Sequence, residues 1–200
     1  MFVALASVAA GAPPAEKLRN DKVVTLEATL KSGEAVPVEG RPAVTVYFEN
    51  GLLEYTPRVG DTGKVTVQRG EAVFSLARAG EIRNTGSSAV HFVRTEFLTD
   101  GAGETWGAAG LSPHYKLLIE NQYTRVYDIK IPAGTREPQH THKARVVVCL
   151  SGAELKHLMP DGREEPSTLK TGEVAWRSGG THIGQNLGKT DLWVIAIEPK

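Results

Sequence analysis

Short apolar runs recur along most of the chain, and in many of them apolar and polar residues alternate. The clearest runs are 23–28, 43–48, 90–93, 124–129 and 192–197. Gly-rich segments separate them, which is typical of β-strands joined by turns. Asp161-Gly162 and Asn50-Gly51 are hairpin signals, because glycine supplies the positive φ that tight turns need. Only residues 14–20 are left for a short helical turn, so the pattern predicts a nearly all-β protein.

The chain also contains an internal repeat, which indicates a tandem duplication. Residues 20–51 and 121–152 match at one constant offset, and a slip of one residue extends the match to residues 70–86 and 172–188. The matched pairs are Asn20 and Asn121, Gly33 and Gly134, Gly51 and Gly152, Gly70 and Gly172, Phe74 and Trp176, Asn84 and Asn186, and Gly86 and Gly188. Two hundred residues then divide into two domains of about 100, each large enough for its own core.

This repeat predicts domains at 18–98 and 114–200. The glycine-rich segment 99–113 is expected to link them, with Trp106 packing against a barrel. Residues 1–17 form an apolar arm, too short to span a bilayer, which needs about 20 apolar residues. The arm resembles a secretory signal ending at Ala10-Gly11-Ala12, although no Lys or Arg precedes it and Pro13 follows. Export to the periplasm or medium is the first expectation, and a cytoplasmic protein with an N-terminal arm is the alternative.

Charge and cysteine content exclude some classes of partner and bond. The 23 basic and 23 acidic residues balance, and no basic run follows a phosphate backbone, so nucleic acid is not an expected partner. The single cysteine, Cys149, excludes an internal disulfide. Its position in the apolar run 146–150 predicts a buried core thiol.

Candidate chemistry lies at His140-Thr-His142 and at His182. Two histidines two residues apart share one face of a strand, and a third on a neighbouring strand completes a three-nitrogen metal site with open positions. Glu137 is the nearest carboxylate and could bend back as a fourth ligand. Side chains alternate between the two faces of a strand, however, and Glu137 is an odd number of residues from His140, so this strand parity places Glu137 on the opposite face.

The same parity argument turns Arg145 away from the metal and leaves Val146 and Val148 lining the pocket. Arg177 could contact a substrate, whereas Trp176 is expected in the core. The isolated histidines His91, His114 and His157 carry no motif. His157 is predicted on a solvent-facing strand edge, and Asn186, which has a counterpart in the first copy, is predicted to form a turn.

These motifs resemble those of the cupin superfamily. Gly134, His140, His142 and Gly152 match its first motif, and Gly172, Gly179, His182 and Asn186 match its second. The acidic position of the first motif falls near Arg145 or Val146, so no carboxylate ligand carries over there. In the first copy the positions of the three histidines hold Glu39, Arg41 and Gly80.

The resemblance implies a bicupin: two tandem jelly-roll (double-stranded β-helix) barrels, of which the first is degenerate and the second binds one metal. Fe, Zn, Mn, Ni or Cu suits such a site. Three histidines without a carboxylate resemble the iron centre of thiol dioxygenases, which implies a metal-dependent oxidoreductase acting on a small organic molecule. A zinc-bound water would favour hydrolysis or hydration instead. A non-catalytic bicupin that binds a metal or small ligand is the other alternative. Relatives often pair barrels, so a homodimer is expected unless the two copies pair within one chain.

Overall fold

The computed structural model describes residues 10–99, 101 and 112–200. Every helix or strand element in these ranges is a β-strand, and none of the described residues forms a helix able to cross a membrane. The helical turn predicted at 14–20 is wrong, because Ala15–Arg19 is a strand. Part of the expected arm is also ordered, since the Gly11 amide donates to the Ala35 carbonyl at 2.9 Å. Residues 1–9 and most of the predicted linker lie outside the described ranges.

The chain divides into two compact units. Among the described residues, the first unit comprises 10–17 and Val24–Glu96, and the second comprises Leu18–Val23, 97–99, 101 and 112–200. In chain order the first nine strands are β1 Ala15–Arg19, β2 Val23–Leu30, β3 Ala35–Val38, β4 Ala43–Tyr47, β5 Gly51–Pro57, β6 Gly63–Val67, β7 Ala72–Ser75, β8 Gly80–Asn84 and β9 Val90–Phe97. The next nine are β10 Tyr115–Glu120, β11 Thr124–Ile131, β12 His140–His142, β13 Arg145–Ser151, β14 Ala153–Leu158, β15 Glu164–Leu169, β16 Val174–Arg177, β17 Gly180–Asn186 and β18 Leu192–Pro199.

Both sets of nine strands are arranged in the same way. The first set forms a five-stranded sheet in the order β1-β2-β9-β4-β7 and a four-stranded sheet in the order β3-β8-β5-β6. The second set forms sheets in the orders β10-β11-β18-β13-β16 and β12-β17-β14-β15. Adding nine to each strand number of the first set reproduces the second set. The sequence repeat therefore coincides with a repeat of strand order.

Each unit has its own apolar core, as expected when the inner faces of its sheets carry alternate apolar residues. One core includes Leu30, Leu53 and Phe92. The other includes Ile129, Val194 and Cys149. Cys149 is fully buried, which confirms the predicted core thiol, and burial raises the pKa of this thiol to about 11.

The motif residues outside the histidines hold turns. Gly134 and Gly172 have φ of 74° and 85°, values that residues with a Cβ rarely adopt. Buried Asn186 donates from Nδ2 to the carbonyls of Ile131 (3.0 Å) and Thr190 (2.9 Å), and its Oδ1 accepts from the Gly188 amide (2.9 Å). Asn84 makes the corresponding three bonds in the first unit. The prediction that Asn186 forms a turn is confirmed.

Candidate metal centre and ligand cavity

Three predicted ligands meet where β12 pairs with β17. The antiparallel register places His140 directly opposite His182, and His142 follows two residues later on the same face. Ring centroids are 4.8 Å apart for His140 and His182, 5.0 Å for His142 and His182, and 6.1 Å for His140 and His142. Residues separated by about forty positions in the sequence thus form one cluster of imidazoles.

A fourth histidine joins this cluster. Strand β14 pairs with the other edge of β17, with His157 opposite Gly184, and the His157 ring stacks on His182 with centroids 4.4 Å apart. His157 is half-buried and lines the cavity described below. The prediction of a solvent-facing edge position is wrong, because the pairing of β14 with β17 joins segments that the local pattern does not relate.

Hydrogen bonds define the tautomers of two of the histidines. Nδ1 of His140 lies 3.0 Å from the Pro138 carbonyl oxygen, and Nδ1 of His142 lies 3.0 Å from that of Lys143. A carbonyl oxygen only accepts, so both Nδ1 atoms carry the proton and both Nε2 atoms are unprotonated. Histidine ligands of metals usually have this arrangement, with the second ring nitrogen donating to a backbone carbonyl or carboxylate.

The environment keeps the imidazoles of His142 and His182 neutral. Burial, with the nearby Arg145 guanidinium as the second cause, lowers the pKa of His142 to about 3. Burial, followed by the neighbouring His157, lowers the pKa of His182 to about 3. A metal binds only the unprotonated ring, so these shifts favour ligation at neutral pH.

Arg145 points into the cluster, so the parity prediction for this residue is wrong. Its Nη2 donates to Tyr115 Oη at 3.2 Å, and that hydroxyl lies 3.1 Å from His140 Nε2. Since His140 Nδ1 holds the ring proton, the tyrosine hydroxyl donates to Nε2. Parity fails because the chain leaves one sheet after His142 and enters another at Arg145, so alternation does not continue across the break.

A cavity of about 410 Å³ lies beside the histidines. Val147 lines it, and Val146 and Val148, which were predicted to do so, are not in the lining. The prediction is wrong by one residue because alternation does not continue across the change of sheet before Arg145. Arg177 and Trp176 also line the cavity, although Trp176 was expected in the core. The rest of the lining includes Tyr115, Ile129, Glu137, His142, Arg145, Leu155, His157, His182 and Val194.

Glu137 is buried at the cavity wall, with 4% of its surface exposed. Parity does not apply to it, because Glu137 precedes β12 and is not part of that strand. Its Oε1 is buried without a hydrogen-bond partner among the described residues. A Cβ at Gly184 would lie 2.5 Å from its Oε2, so the glycine leaves room for this carboxylate. An unpaired buried carboxylate oxygen is costly unless a cation or donor meets it.

The residue types of the cluster suit a transition metal, but their side chains do not have the geometry of a metal site. No group of three or more His, Cys, Asp or Glu side chains in the described ranges has a geometry ready to hold a metal ion. The Tyr115 hydroxyl also hydrogen-bonds to the Nε2 of His140. Three imidazoles, two of them with the ring proton on Nδ1, and one carboxylate with an unpartnered buried oxygen are nevertheless a suitable donor set. The residues that would hold a metal are His140, His142 and His182, with Glu137 as the fourth.

The equivalent strands of the first unit have no such cluster. Val38 pairs with Gly80 there as His140 pairs with His182, so the register makes Val38 the counterpart of His140. The expected counterparts Glu39 and Arg41 are displaced by one residue. Arg41 instead forms an ion pair with buried Glu96 at 3.2 Å. Gly80 has no space for a side chain, because a Cβ would lie 2.4 Å from the Thr56 carbonyl oxygen.

Comparisons with known proteins show similarity at the level of structure. No protein-family model matches the chain, and no curated protein matches it in sequence. A cupin 2 conserved barrel domain protein from Leptotrichia buccalis is 16% identical with a TM-score of 0.58, covering 94% of this chain and 88% of that one. AerE from Microcystis aeruginosa is 12% identical with a TM-score of 0.58, covering 94% and 97%. The formate complex of Lactobacillus farciminis oxalate decarboxylase is 12% identical with a TM-score of 0.62, covering 90% and 78%. At identities this low the similarity shows the fold alone.

Proposed function

We propose that this chain, which has the all-β cupin jelly-roll fold of those structures, is a metalloprotein with one metal site in its second unit. The proposed ligands are His140, His142 and His182, with Glu137 as the fourth. The proposed activity is that of a metal-dependent oxidoreductase of the dioxygenase type, acting on a small organic molecule in the adjacent cavity. The observation that supports the proposal is the convergence of three histidines beside that cavity, two of them with the ring proton on Nδ1.

The protein's own groups prepare the site in three ways. The carbonyls of Pro138 and Lys143 orient the rings of the first motif. Burial keeps His142 and His182 unprotonated. The cavity admits a small molecule next to the imidazoles. A divalent transition metal, when bound, supplies open positions for ligands and Lewis-acid or redox chemistry.

We also propose that the chain is a tandem bicupin whose first barrel binds no metal. The repeated strand order and the repeated asparagine turns support the duplication. Val38 and Gly80, which occupy the positions of His140 and His182, have no metal-binding side chain. The whole chain should therefore hold one metal equivalent.

Metal content of full-length protein purified without a metal-affinity tag tests the ligand set. We expect about one equivalent of a transition metal by elemental analysis. His140→Ala, His142→Ala and His182→Ala should each lose it. His91→Ala is the matched control, because His91 lies in the first unit and pairs with Glu27 at 2.9 Å. Two equivalents in the wild type, or full content in His182→Ala, would contradict the proposal.

Oxygen consumption separates an enzyme from a binding module. The engagement of His140 Nε2 by Tyr115 favours the alternative of a barrel that holds a metal or small ligand without turnover. Iron-loaded protein would be assayed with an oxygen electrode against a panel of small organic acids, alcohols and thiols. Turnover that disappears on chelation and in His182→Ala supports the oxidoreductase. Metal binding without turnover across the panel supports the binding module.

A further inference from the structure

We propose that the cavity of the second unit binds a small organic monocarboxylate with an apolar body, and that Arg145 is the residue that binds the carboxylate. This inference rests on the proposed function, because it names the ligand class of the same cavity. The carrying observation is a buried guanidinium with unused donors at the cavity wall.

Arg145 is 8% exposed and lines the cavity. A guanidinium has five N–H donors and no acceptor. One bond is accounted for, from Nη2 to Tyr115 Oη at 3.2 Å. Nε and Nη1 are buried and have no hydrogen-bond partner among the described residues. Buried unpaired donors on a charged group are strongly unfavourable, so an anion that enters the cavity gains by meeting them.

Among the described residues, the other charged side chains that line the cavity are Arg177, Glu165 and Glu137. Arg177, opposite Arg145 in the pairing of β13 with β16, donates to Glu173 at 3.0 Å. Glu165 accepts from Arg163 at 3.0 Å. Buried Glu198 is not part of the cavity lining and accepts from the Lys143 amide at 3.0 Å. Burial raises the pKa of Glu198 and the nearby Arg145 guanidinium opposes that rise, but Nε and Nη1 of Arg145 make no hydrogen bond to it. With Glu137 assigned to the metal, Arg145 is the cation at the cavity wall whose N–H donors have no carboxylate partner in the described ranges. One such charge suits one carboxylate better than a dianion such as oxalate or phosphate.

The rest of the lining selects for an apolar body. Ile129, Val147, Leu155 and Val194 line the cavity, and all four belong to the apolar core of this unit. A ligand gains by burying apolar surface against them, at roughly 25 cal/mol per Å². A cavity of about 410 Å³ falls within the usual range for small-molecule sites.

Benzoate and benzamide are suitable probes, because they have nearly the same shape and differ in charge. Isothermal titration calorimetry would use full-length protein, both as purified and after chelation, so that the readout does not depend on activity. We expect benzoate to bind at least about tenfold more tightly than benzamide, oxalate or phosphate, because a hydrogen bond to a charged group is worth about one decade or more. Arg145→Gln should weaken benzoate binding by about tenfold or more. Arg163→Gln, which removes an exposed cation that pairs with Asp161 and Glu165 and does not line the cavity, should stay within about threefold of the wild type.

Equal binding of benzoate by Arg145→Gln and the wild type, or equal binding of benzoate and benzamide, would overturn the inference. Tighter Arg145-dependent binding of oxalate or phosphate would overturn the assignment to an apolar monocarboxylate. If circular dichroism shows that Arg145→Gln does not fold, Arg145→Lys replaces it. That variant keeps the charge without the planar donors and must bind benzoate more weakly than the wild type. Metal analysis of the same samples distinguishes the two proposals. Arg145-dependent binding by protein that contains no metal as purified would refute only the metal site, whereas binding after chelation leaves both proposals standing.

Discussion

Replacing Asn186 with alanine should destabilise the second unit without affecting the chemistry of the histidine cluster. The substitution removes three hydrogen bonds of a buried side chain, to the Ile131 and Thr190 carbonyls and from the Gly188 amide. Each contributes about 1 kcal/mol net, so the free energy of unfolding should fall by about 3 kcal/mol. Asn84→Ala removes the same three bonds in the first unit and should cost a similar amount.

Urea unfolding followed by circular dichroism measures this loss. With a slope of about 1–3 kcal/mol per molar, the midpoint of the affected transition should fall by roughly 1–3 M. Metal content of the folded Asn186→Ala protein should equal that of the wild type. Asn186→Asp provides the sharper comparison. It replaces the Nδ2 donor of the amide with a carboxylate oxygen, which would face the carbonyl oxygens of Ile131 and Thr190. If Asn186 were a ligand, the aspartate would retain or tighten metal binding and the alanine would lose it, and that outcome would refute the assignment to the turn.

Three further predictions concern single side chains. Burial raises the pKa of Tyr47 to about 12 from its ordinary value of 10.0. The stability that the neutral phenol contributes is therefore complete below pH 10 and is lost as pH rises towards 12, by about 1.4 kcal/mol per pH unit. In urea titrations at several pH values, the free energy of unfolding of the wild type should fall more steeply with pH than that of Tyr47→Phe, and equal pH dependence would contradict the prediction. Tyr115→Phe removes the hydroxyl that occupies the lone pair of the first histidine of β12, so zinc affinity measured by chelator competition should rise by up to about fivefold; weaker binding would mean that the hydroxyl helps to form the site. Gly134→Ala should lower the free energy of unfolding by about 1 kcal/mol, because the φ of 74° at this position is unfavourable for alanine, although a Cβ there would contact no other atom. Gly63→Ala is the control in thermal melts and should change the melting temperature little, because Gly63 is equally uncrowded and has no positive φ.

Much of the fold was predictable because it is encoded locally. Alternating apolar runs and glycine turns predict strands, and the repeat predicts a second set like the first. The shared face of His140 and His142 follows from the period of two within a single strand. The meeting of His182 with this pair was predicted because the two motifs resemble those of the cupin superfamily.

The errors at the site have a common physical cause. Parity holds only while a strand continues, and the chain changes sheets between His142 and Arg145. Arg145 and Val147 therefore line the cavity where Val146 and Val148 were expected. Glu137 lies before β12, so the same rule misjudged it. His157 was missed because its contact with His182 arises from strand pairing across the sheet, and no local signal reports that pairing.

The pairing of Val38 with Gly80 limits how this protein can be redesigned. Grafting histidines onto the first unit would require a side chain at Gly80, where a Cβ would lie 2.4 Å from the Thr56 carbonyl oxygen and 2.9 Å from Pro57 Cα. Both obstacles are main-chain atoms of β5, so no choice of neighbouring side chains removes them. A symmetric, two-centre version is therefore inaccessible by point substitution and would need the backbone of β5 to be rebuilt. Directed evolution of new chemistry in this scaffold should accordingly start from the second unit.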